Sequence, residues 1–299
     1  MPDPAAMHTN HTVRGLTLFM AGLVLFACMD TTIKYLAASY PVPLIAAVRY
    51  AVNLVLMTAL LAPFHGREIA RTRRTGLVLV RACALALGTL AAGLALQRMP
   101  VAETMSIIFV APIMVILASG PLLGERVSRS GYIAAATGFV GILLIARPGS
   151  GLDPAGVFWA LVAMTTTTVY QLLSRVLTAS ESTIALLFYS ALVGTIAYGI
   201  AAPWFIGGPQ PGLFEMLLLI STGVYGGLGH FLFTAAYRHA PASLLAPANY
   251  AQLLWAALLG WLVFGHIPDQ WGLTGMAVIA GAGVFAAIGT RRPPVKRSV

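Results

Sequence analysis

Apolar residues in this chain run in long blocks separated by short polar stretches. Ten blocks fall near 15–38, 43–63, 76–97, 101–122, 131–146, 156–178, 183–203, 213–237, 242–264 and 271–289. About 20 apolar residues carry a helix across the hydrocarbon of a bilayer, where the backbone must satisfy its own hydrogen bonds. The blocks predict ten membrane-spanning helices joined by connections too short to hold a soluble domain.

A second regularity lies on top of the first. The stretch Ala95 to Val127 returns 141 residues later as Ala236 to Pro268. Without a gap, that register pairs Ala95 with Ala236, Pro100 with Pro241, Leu117 with Leu258 and Gly124 with Gly265. It also pairs Gly15 with Gly156, Lys34 with Arg175, Leu36 with Leu177, Phe64 with Phe205, Gly88 with Gly229 and Gly131 with Gly272. One register over nearly half the chain predicts a duplicated architecture with five helices in each copy. Five is odd, so the two copies enter the membrane in opposite senses. The expected organisation is a tail at 1–14, a repeat at 15–147, a linker at 148–155, a second repeat at 156–289 and a basic tail at 290–299.

Composition agrees. The chain is 59% apolar and 9% charged, with mean hydropathy +0.85, whereas soluble domains carry about 25% charged residues. A water-soluble fold is excluded. The net charge of +9 does not point to nucleic acid, because the basic residues cluster in loops between the apolar blocks. Placing the N-terminus inside leaves thirteen basic residues on the cytoplasmic side: Arg14, Arg67, Arg71, Arg73, Arg74, Arg126, Arg129, Arg175, Arg238, Arg291, Arg292, Lys296 and Arg297. The opposite side receives Lys34, Arg98 and Arg147, while Arg49 and Arg81 fall within helices. That asymmetry obeys the positive-inside rule and puts both termini in the cytoplasm. The fold expected is an all-α polytopic membrane protein of ten transmembrane helices in two inverted five-helix repeats. Cys28 and Cys83 both lie in apolar blocks without metal-binding spacing and read as packing residues. The N-terminal MPDPAAMHTNHT lacks a basic signal-peptide start, so the first apolar block is expected to remain as a helix.

Pro100, Ala102-Glu103-Thr104, Pro112, Gly124-Glu125-Arg126 and the spaced glycines Gly131, Gly138 and Gly141 form a recognisable series. It resembles the EamA-type branch of the drug/metabolite transporter superfamily, and most resembles the bacterial aromatic amino acid exporters within it. The second copy departs from the pattern, with His266 where the acid of Gly-Glu-Arg would stand. The resemblance implies a multi-pass protein of the bacterial inner membrane. It also implies a central cavity lined by the first four helices of each repeat, with the fifth helices peripheral.

Charged groups within a bilayer need a partner, water or a function. Asp30 and Lys34, four residues apart on one helix, share a face and can pair, or else line a cavity and take part in coupling. Arg49 can meet a substrate carboxylate or pair with Asp30 or Glu103. Glu103 opens a helix, where a carboxylate complements the dipole. Arg81 is expected to anchor at the cytoplasmic interface. His230 can titrate or hydrogen-bond a ligand. Asn249, Tyr250 and Gln252 form a neutral polar cluster suited to a zwitterion, or to gluing helices together. Trp159, Tyr170, Tyr225, Tyr237, Tyr250 and Trp255 lie inside helices and can wall a pocket for a flat solute, while Trp204, Trp261 and Trp271 suit interfacial belts. Thr165 to Thr168 followed by Tyr170 and Gln171 suggests a wet helix face. Pro112 and Pro247 permit kinks.

These features predict a carrier that exports small organic metabolites, amino acids and above all aromatic ones, by alternating access around a central cavity. The substrate-binding candidates are His230, Gln252, Asn249, Tyr250, Trp159, Tyr170, Gln171, Trp255 and Arg49. Asp30, Lys34 and Glu103 are candidates for coupling or for a structural ion pair. Export of other metabolites or cationic drugs is the alternative, followed by a channel or a membrane-embedded enzyme. No HExxH, GxSxG or phosphate-binding loop occurs, so enzyme chemistry, a metal and a cofactor are not expected. The partners implied are a small solute and the lipid bilayer, without nucleic acid. The sequence leaves proton antiport, facilitated diffusion and oligomeric state open.

Overall fold

The computed structural model describes residues 4–123, 129–145, 147, 151–177, 180–205, 209–236, 239 and 248–289. The described residues form eleven α-helices: α1 (Pro4–Leu36), α2 (Val42–His65), α3 (Thr75–Arg98), α4 (Val101–Ile108), α5 (Ala111–Leu123), α6 (Arg129–Ile145), α7 (Pro154–Leu177), α8 (Thr183–Ala201), α9 (Leu213–Ala236), α10 (Ala251–Phe264) and α11 (Gln270–Gly289). Short 3-10 turns, Gly66–Ala70 and Ala202–Phe205, extend α2 and α8. Six helices are long and apolar enough to cross a membrane, and shorter apolar helices occupy the other four predicted blocks. The protein is a multi-pass membrane protein. Gly124-Glu125-Arg126, Tyr237, Pro247 and the basic C-terminal tail lie outside the described residues.

The block at 101–122 is not one helix. It breaks at Phe109 and Val110, between α4 and α5. Pro112 explains the place: it offers no amide, and its ring crowds the carbonyl four residues back, Ile108, the last residue of α4. The block at 242–264 also contains a turn, at Asn249 and Tyr250 just before α10. The register of 141 puts these two residues opposite Ile108 and Phe109. The two breaks touch, with the Phe109 and Tyr250 rings edge to face at 6.3 Å.

Helix pairing has an exchange pattern. α1 packs along α9 as α3 packs along α7, and α2 meets α9 as α8 meets α3. α2 lies on α8, and α6 and α11 pack mainly on one another. Close approach depends on missing side chains. A Cβ on Gly88 would lie 2.9 Å from Thr166 of α7, and one on its repeat partner Gly229 would lie 2.7 Å from Phe26 of α1. The interior is rich in small residues, including Ala27, Ala82, Ala91, Ala95, Ala160, Ala163 and Ala191, while Leu60, Phe139, Leu217 and Leu254 face outward. Small residues inside and large apolar ones outside are what packing in lipid favours, since burial from lipid adds little driving force.

Side-chain contacts sort the helix ends into two groups. At one end, which we call the Lys34 end, the Lys34 ammonium donates to the Leu96 and Met99 carbonyls at 3.0 and 2.6 Å. Nearby, Arg98 meets Asp153 at 3.1 Å and Arg147 pairs with Asp269. At the other, the Arg73 end, both Glu181 carboxylate oxygens accept from the Arg73 amide at 3.1 and 2.9 Å, and Oε1 also accepts from the Arg74 amide at 2.9 Å.

Candidate functional site

A cavity of about 810 Å³ opens at the Lys34 end. Its wall includes Lys34, Tyr40, Gln97, Gln210, Glu215 and Phe264. Below it, Asp30 lies six residues before the end of α1, about 9 Å down the helix at 1.5 Å per residue.

Asp30 and Arg49 are both half-buried. They act on one another electrostatically, yet no ion pair within 4 Å joins them among the described residues. Arg49 instead donates to Thr89 Oγ1 at 2.7 Å, has Met29 Sδ at 3.6 Å and lies 4.7 Å over the Tyr50 ring. Tyr50 in turn bonds Thr89 at 2.8 Å and stacks on Tyr198 at 5.6 Å. A void of about 10 Å³ lined by Ile33, Val42, Ile45, Ala46, Thr89 and Gly93 adjoins Arg49, close to the lower limit for one water. An acid and a base in the apolar helices α1 and α2 thus act on one another without a tight pair, Arg49 being held by neutral groups.

Asp30 does not pair with Lys34, contrary to what their spacing suggests. Lys34 turns toward the last turn of α3, whose unpaired carbonyls offer it acceptors, and its ammonium stands 5.4 Å from the Phe264 ring centre. Arg49 likewise pairs with neither Asp30 nor Glu103. Glu103 lies in the first turn of α4 but makes no capping hydrogen bond, Pro100 being the cap residue. Its Oε1 meets His266 Nε2 at 2.8 Å, while Oε2 is buried without a hydrogen-bond partner among the described residues. His266, the residue that breaks the repeat motif, thus supplies the partner for the acid of the other half.

Gln252 is 2% exposed and lies against α1. With its amide turned so that both ends are satisfied, it donates to the Leu23 carbonyl at 2.7 Å and accepts from the Ala27 amide at 3.1 Å. The reverse rotation aims Nε2 at Asp30 over 3.5 Å, the limit of a hydrogen bond. Gln252 therefore ties α10 to α1 beside Asp30. Asn249 and Tyr250 form the turn before α10. A Cβ on Gly283 would fall 1.8 Å from Tyr250 Cζ, so the phenol tip rests on the α11 backbone. His230 is edge to face with Phe26 at 4.9 Å. Trp255 packs against the cluster of Phe19, Leu23 and Ala236. Its indole N–H is buried without a partner among the described residues.

The α7 candidates go elsewhere. Tyr170 accepts from Arg81 Nη2 at 2.9 Å, and Gln171 follows it on the same helix. Arg81 stands eight residues from Thr89 along α3, roughly 12 Å at the helical rise. Trp159 packs edge to face on Phe158. Three of the four threonines return their hydroxyls to their own backbone, Thr165 to Leu161, Thr166 to Val162 and Thr168 to Met164. Arg81, expected at the interface, is 4% exposed. Its guanidinium also donates to Ser174 at 2.6 Å, Ser190 at 2.9 Å and the Leu186 carbonyl at 3.0 Å, a supply of acceptors that lets it stay buried. Thr89 and Tyr50 escaped the sequence reading. The available signal was their position, Tyr50 beside Arg49 and Thr89 eight residues along α3 from Arg81, two places where a polar group interrupts an apolar block.

Known proteins supply the wider setting. Across 285 residues the chain is 25% identical to an S-adenosylmethionine uptake transporter of Rickettsia bellii, covering 95% of this chain and 96% of that one. It is 29% identical over 284 residues to a riboflavin transporter of Vibrio cholerae, covering 90% and 91%. A solved crystal structure superposes with TM-score 0.68 at 21% identity, over 95% of this chain and 99% of the other, a likeness of fold. The two relatives are transporters rather than enzymes, and neither is named for amino acid export. The profile of the EamA-like transporter family matches residues 13–147 and, a second time, residues 154–288. With nearly the whole chain matched in two tandem segments, the protein belongs to the EamA-like transporter family of small-molecule carriers.

Proposed function

We propose that this protein carries a small zwitterionic metabolite with a flat ring across the bacterial inner membrane, by alternating exposure of the Asp30–Arg49 layer. The observation that carries this reading is the unpaired state of that acid and base at membrane depth. An ionised side chain there costs about 2.5–3.5 kcal/mol on insertion scales. A solute ammonium at Asp30 and a solute carboxylate at Arg49 would offset that cost only while the solute is bound.

Two inverted five-helix repeats, ten spans and cytoplasmic termini are part of the same proposal. The exchange pattern of helix pairs, the contacting breaks before Pro112 and before α10, and the charge asymmetry of the loops support them. Broken helices near a repeat interface are where such carriers place their sites.

The relative named for S-adenosylmethionine favours a solute with both an amino acid head and a heteroaromatic ring. Aromatic amino acids share the head and a ring. The relative named for riboflavin favours a second reading, a neutral flat heterocycle without the head. Export was the expectation from sequence, whereas the first relative is named for uptake. A rocking carrier moves solute both ways, so direction follows from coupling rather than from the site.

The test is movement of labelled phenylalanine, S-adenosylmethionine and riboflavin by the purified protein in liposomes, with and without a pH gradient. Saturable movement of a zwitterion, reduced at least tenfold by Arg49→Gln or Asp30→Asn with thermal stability retained, is expected. Movement of riboflavin alone, indifferent to both substitutions, would favour the second reading and sink the first. Accumulation driven by the pH gradient marks proton coupling, and equilibration alone marks a facilitator.

A further inference from the structure

The vestibule at the Lys34 end has an electrostatic character that the transport reading does not require. Three of the acids described at this end have basic partners: Asp153 with Arg98, Asp269 with Arg147, and Glu103 with His266. Glu215, in the first turn of α9, is the exception. It lines the cavity, and no basic side chain lies within 4 Å of it among the described residues. The one basic side chain in that wall is Lys34. Its ammonium is held by the Leu96 and Met99 carbonyls. Tyr40, 6% exposed, stands close enough to Glu215 for the carboxylate to act on its phenol, which burial first and Glu215 second push above the ordinary range.

Tyr35, 46% exposed, adds an open aromatic ring to the same wall, where Tyr40 is buried and Phe264 already has the Lys34 ammonium 5.4 Å from its centre. Ring faces attract organic cations and a nearby carboxylate reinforces them. A first-turn glutamate also suits the positive end of a helix, which accounts for its presence on α9 but not for its place on a cavity wall. Deeper in, Asp30 is a second acid without a close ion pair.

We propose that the vestibule is a cation-selecting outer site, in which Glu215 receives the positively charged group of an organic cation or zwitterion before it reaches Asp30. This rests on the transport reading for its second step, but the vestibule's own selectivity does not. The ligand class is a permanent or protonated organic cation, such as an ammonium or sulfonium, attached to a body that can lie on the exposed Tyr35 ring. Glu215 is a specificity-determining residue, and an anion of the same size is disfavoured at the mouth.

Ser39 is exposed on the vestibule wall, which makes it a reporter position. In a chain carrying Cys28→Ala, Cys83→Ala and Ser39→Cys, the thiol is modified with two methanethiosulfonates of similar size. One bears a trimethylammonium and the other a sulfonate, each normalised to a free thiol. The expected result is faster reaction with the cationic reagent, with the cation-to-anion ratio falling roughly threefold to tenfold on adding Glu215→Gln, as for one charge removed at short range in partly aqueous surroundings. Glu215→Asp should keep most of the ratio. A ratio unchanged by Glu215→Gln would overturn the proposal, as would a preference for the sulfonate reagent. In liposomes, Glu215→Gln should raise KM for S-adenosylmethionine at least fivefold while leaving kcat within twofold. Failure of the chain to move any tested solute would defeat the transport reading, whereas the reagent ratio would still decide the vestibule.

Discussion

The two ends of the helix bundle are closed by different means. At the Arg73 end a buried guanidinium, Arg81, ties α3 to Ser174 and Tyr170 of α7 and to Leu186 and Ser190 of α8. Glu181 fastens the chain entering α3 by its Arg73 and Arg74 amides, and Tyr189 bonds the Ala70 carbonyl. The Lys34 end has more open pairs around a cavity: Arg98 and Asp153 are 46% and 36% exposed, and the buried Glu103 meets a His266 that is 39% exposed. Exposed pairs add little to stability, whereas hydrogen bonds to a buried charge are costly to lose.

The repeat register shows how one architecture yields both ends. Shifting by 141 residues takes Arg81 to Thr222, Ser174 to Ile33, Tyr170 to Met29 and Ser190 to Arg49. The image of the lock is therefore Thr222, Ile33, Met29 and Arg49. Two of the image positions meet, for Arg49, the image of Ser190, reaches Met29, the image of Tyr170. The chemistry of the lock does not survive. Thr222 returns its hydroxyl to the Leu219 carbonyl, and the guanidinium sits in the other copy, facing Thr89. Related positions form a structural lock at one end and the candidate solute layer beneath the other.

Installing the missing cation should have the largest effect. Thr222→Arg puts a guanidinium at a fully buried position whose image partners are Met29 and Ile33. Such an uncompensated buried charge is expected to cost about 3–5 kcal/mol, read as a fall in Tm of the detergent-solubilised protein. Adding Met29→Tyr and Ile33→Ser should recover part of it. No recovery would break the proposed equivalence of the two ends.

Removing the existing lock comes next. Arg81→Ala deletes charge-assisted hydrogen bonds to two helices and should destabilise by about 2–3 kcal/mol. Arg81→Lys should restore only a fraction, since an ammonium cannot reproduce the planar fork. Equal Tm values for wild type and Arg81→Ala would show that the Arg73 end is not held this way.

Glu181 gives a smaller, pH-dependent effect. Hydrogen bonds, first from the Arg73 amide, hold its carboxyl below the ordinary range. A carboxyl depressed in the folded state contributes stability fully above its unfolded pKa, near 4.3 for a free glutamate. That contribution is lost as pH falls through the lower folded value. Glu181→Gln should therefore lower Tm at pH 7 and flatten the decline between about pH 5 and 3. Melting curves across that range check both parts. Asp153→Asn at the Lys34 end should change Tm least, because its partner Arg98 is 46% exposed and the asparagine oxygen can still accept from the Ala155 amide. An effect as large as that of Arg81→Ala would erase the contrast between the ends.

Much of the fold was legible in advance because bilayer crossing imposes length and composition on each helix. The apolar blocks located most of the described helices to within a few residues, α7 starting at Pro154 rather than at 156. However, α1 begins at Pro4, eleven residues before the first block, and the block at 101–122 is two helices. The break before Pro112 was legible as a permitted kink. Its contact with the turn at Tyr250 was not, since Phe109 and Tyr250 are 141 residues apart in the chain. The polar candidates fared unevenly for the same reason. Asp30 and Lys34 share a helix face, and spacing alone suggests a pair. Nothing in spacing reveals the free carbonyls at the end of α3 that draw Lys34 away.

The sequence by itself determined that this chain lives in a bilayer, where its helices run and which residues carry charge at depth. Those properties depend on local composition, because transfer into lipid acts on each segment separately. Only the tertiary structure decided which charges are paired. It set Arg81 among acceptors from two other helices, and it left Asp30 and Arg49 near each other without a close ion pair. A buried charge is stabilised by whatever groups packing brings to within a few ångströms, and those groups come from distant parts of the chain.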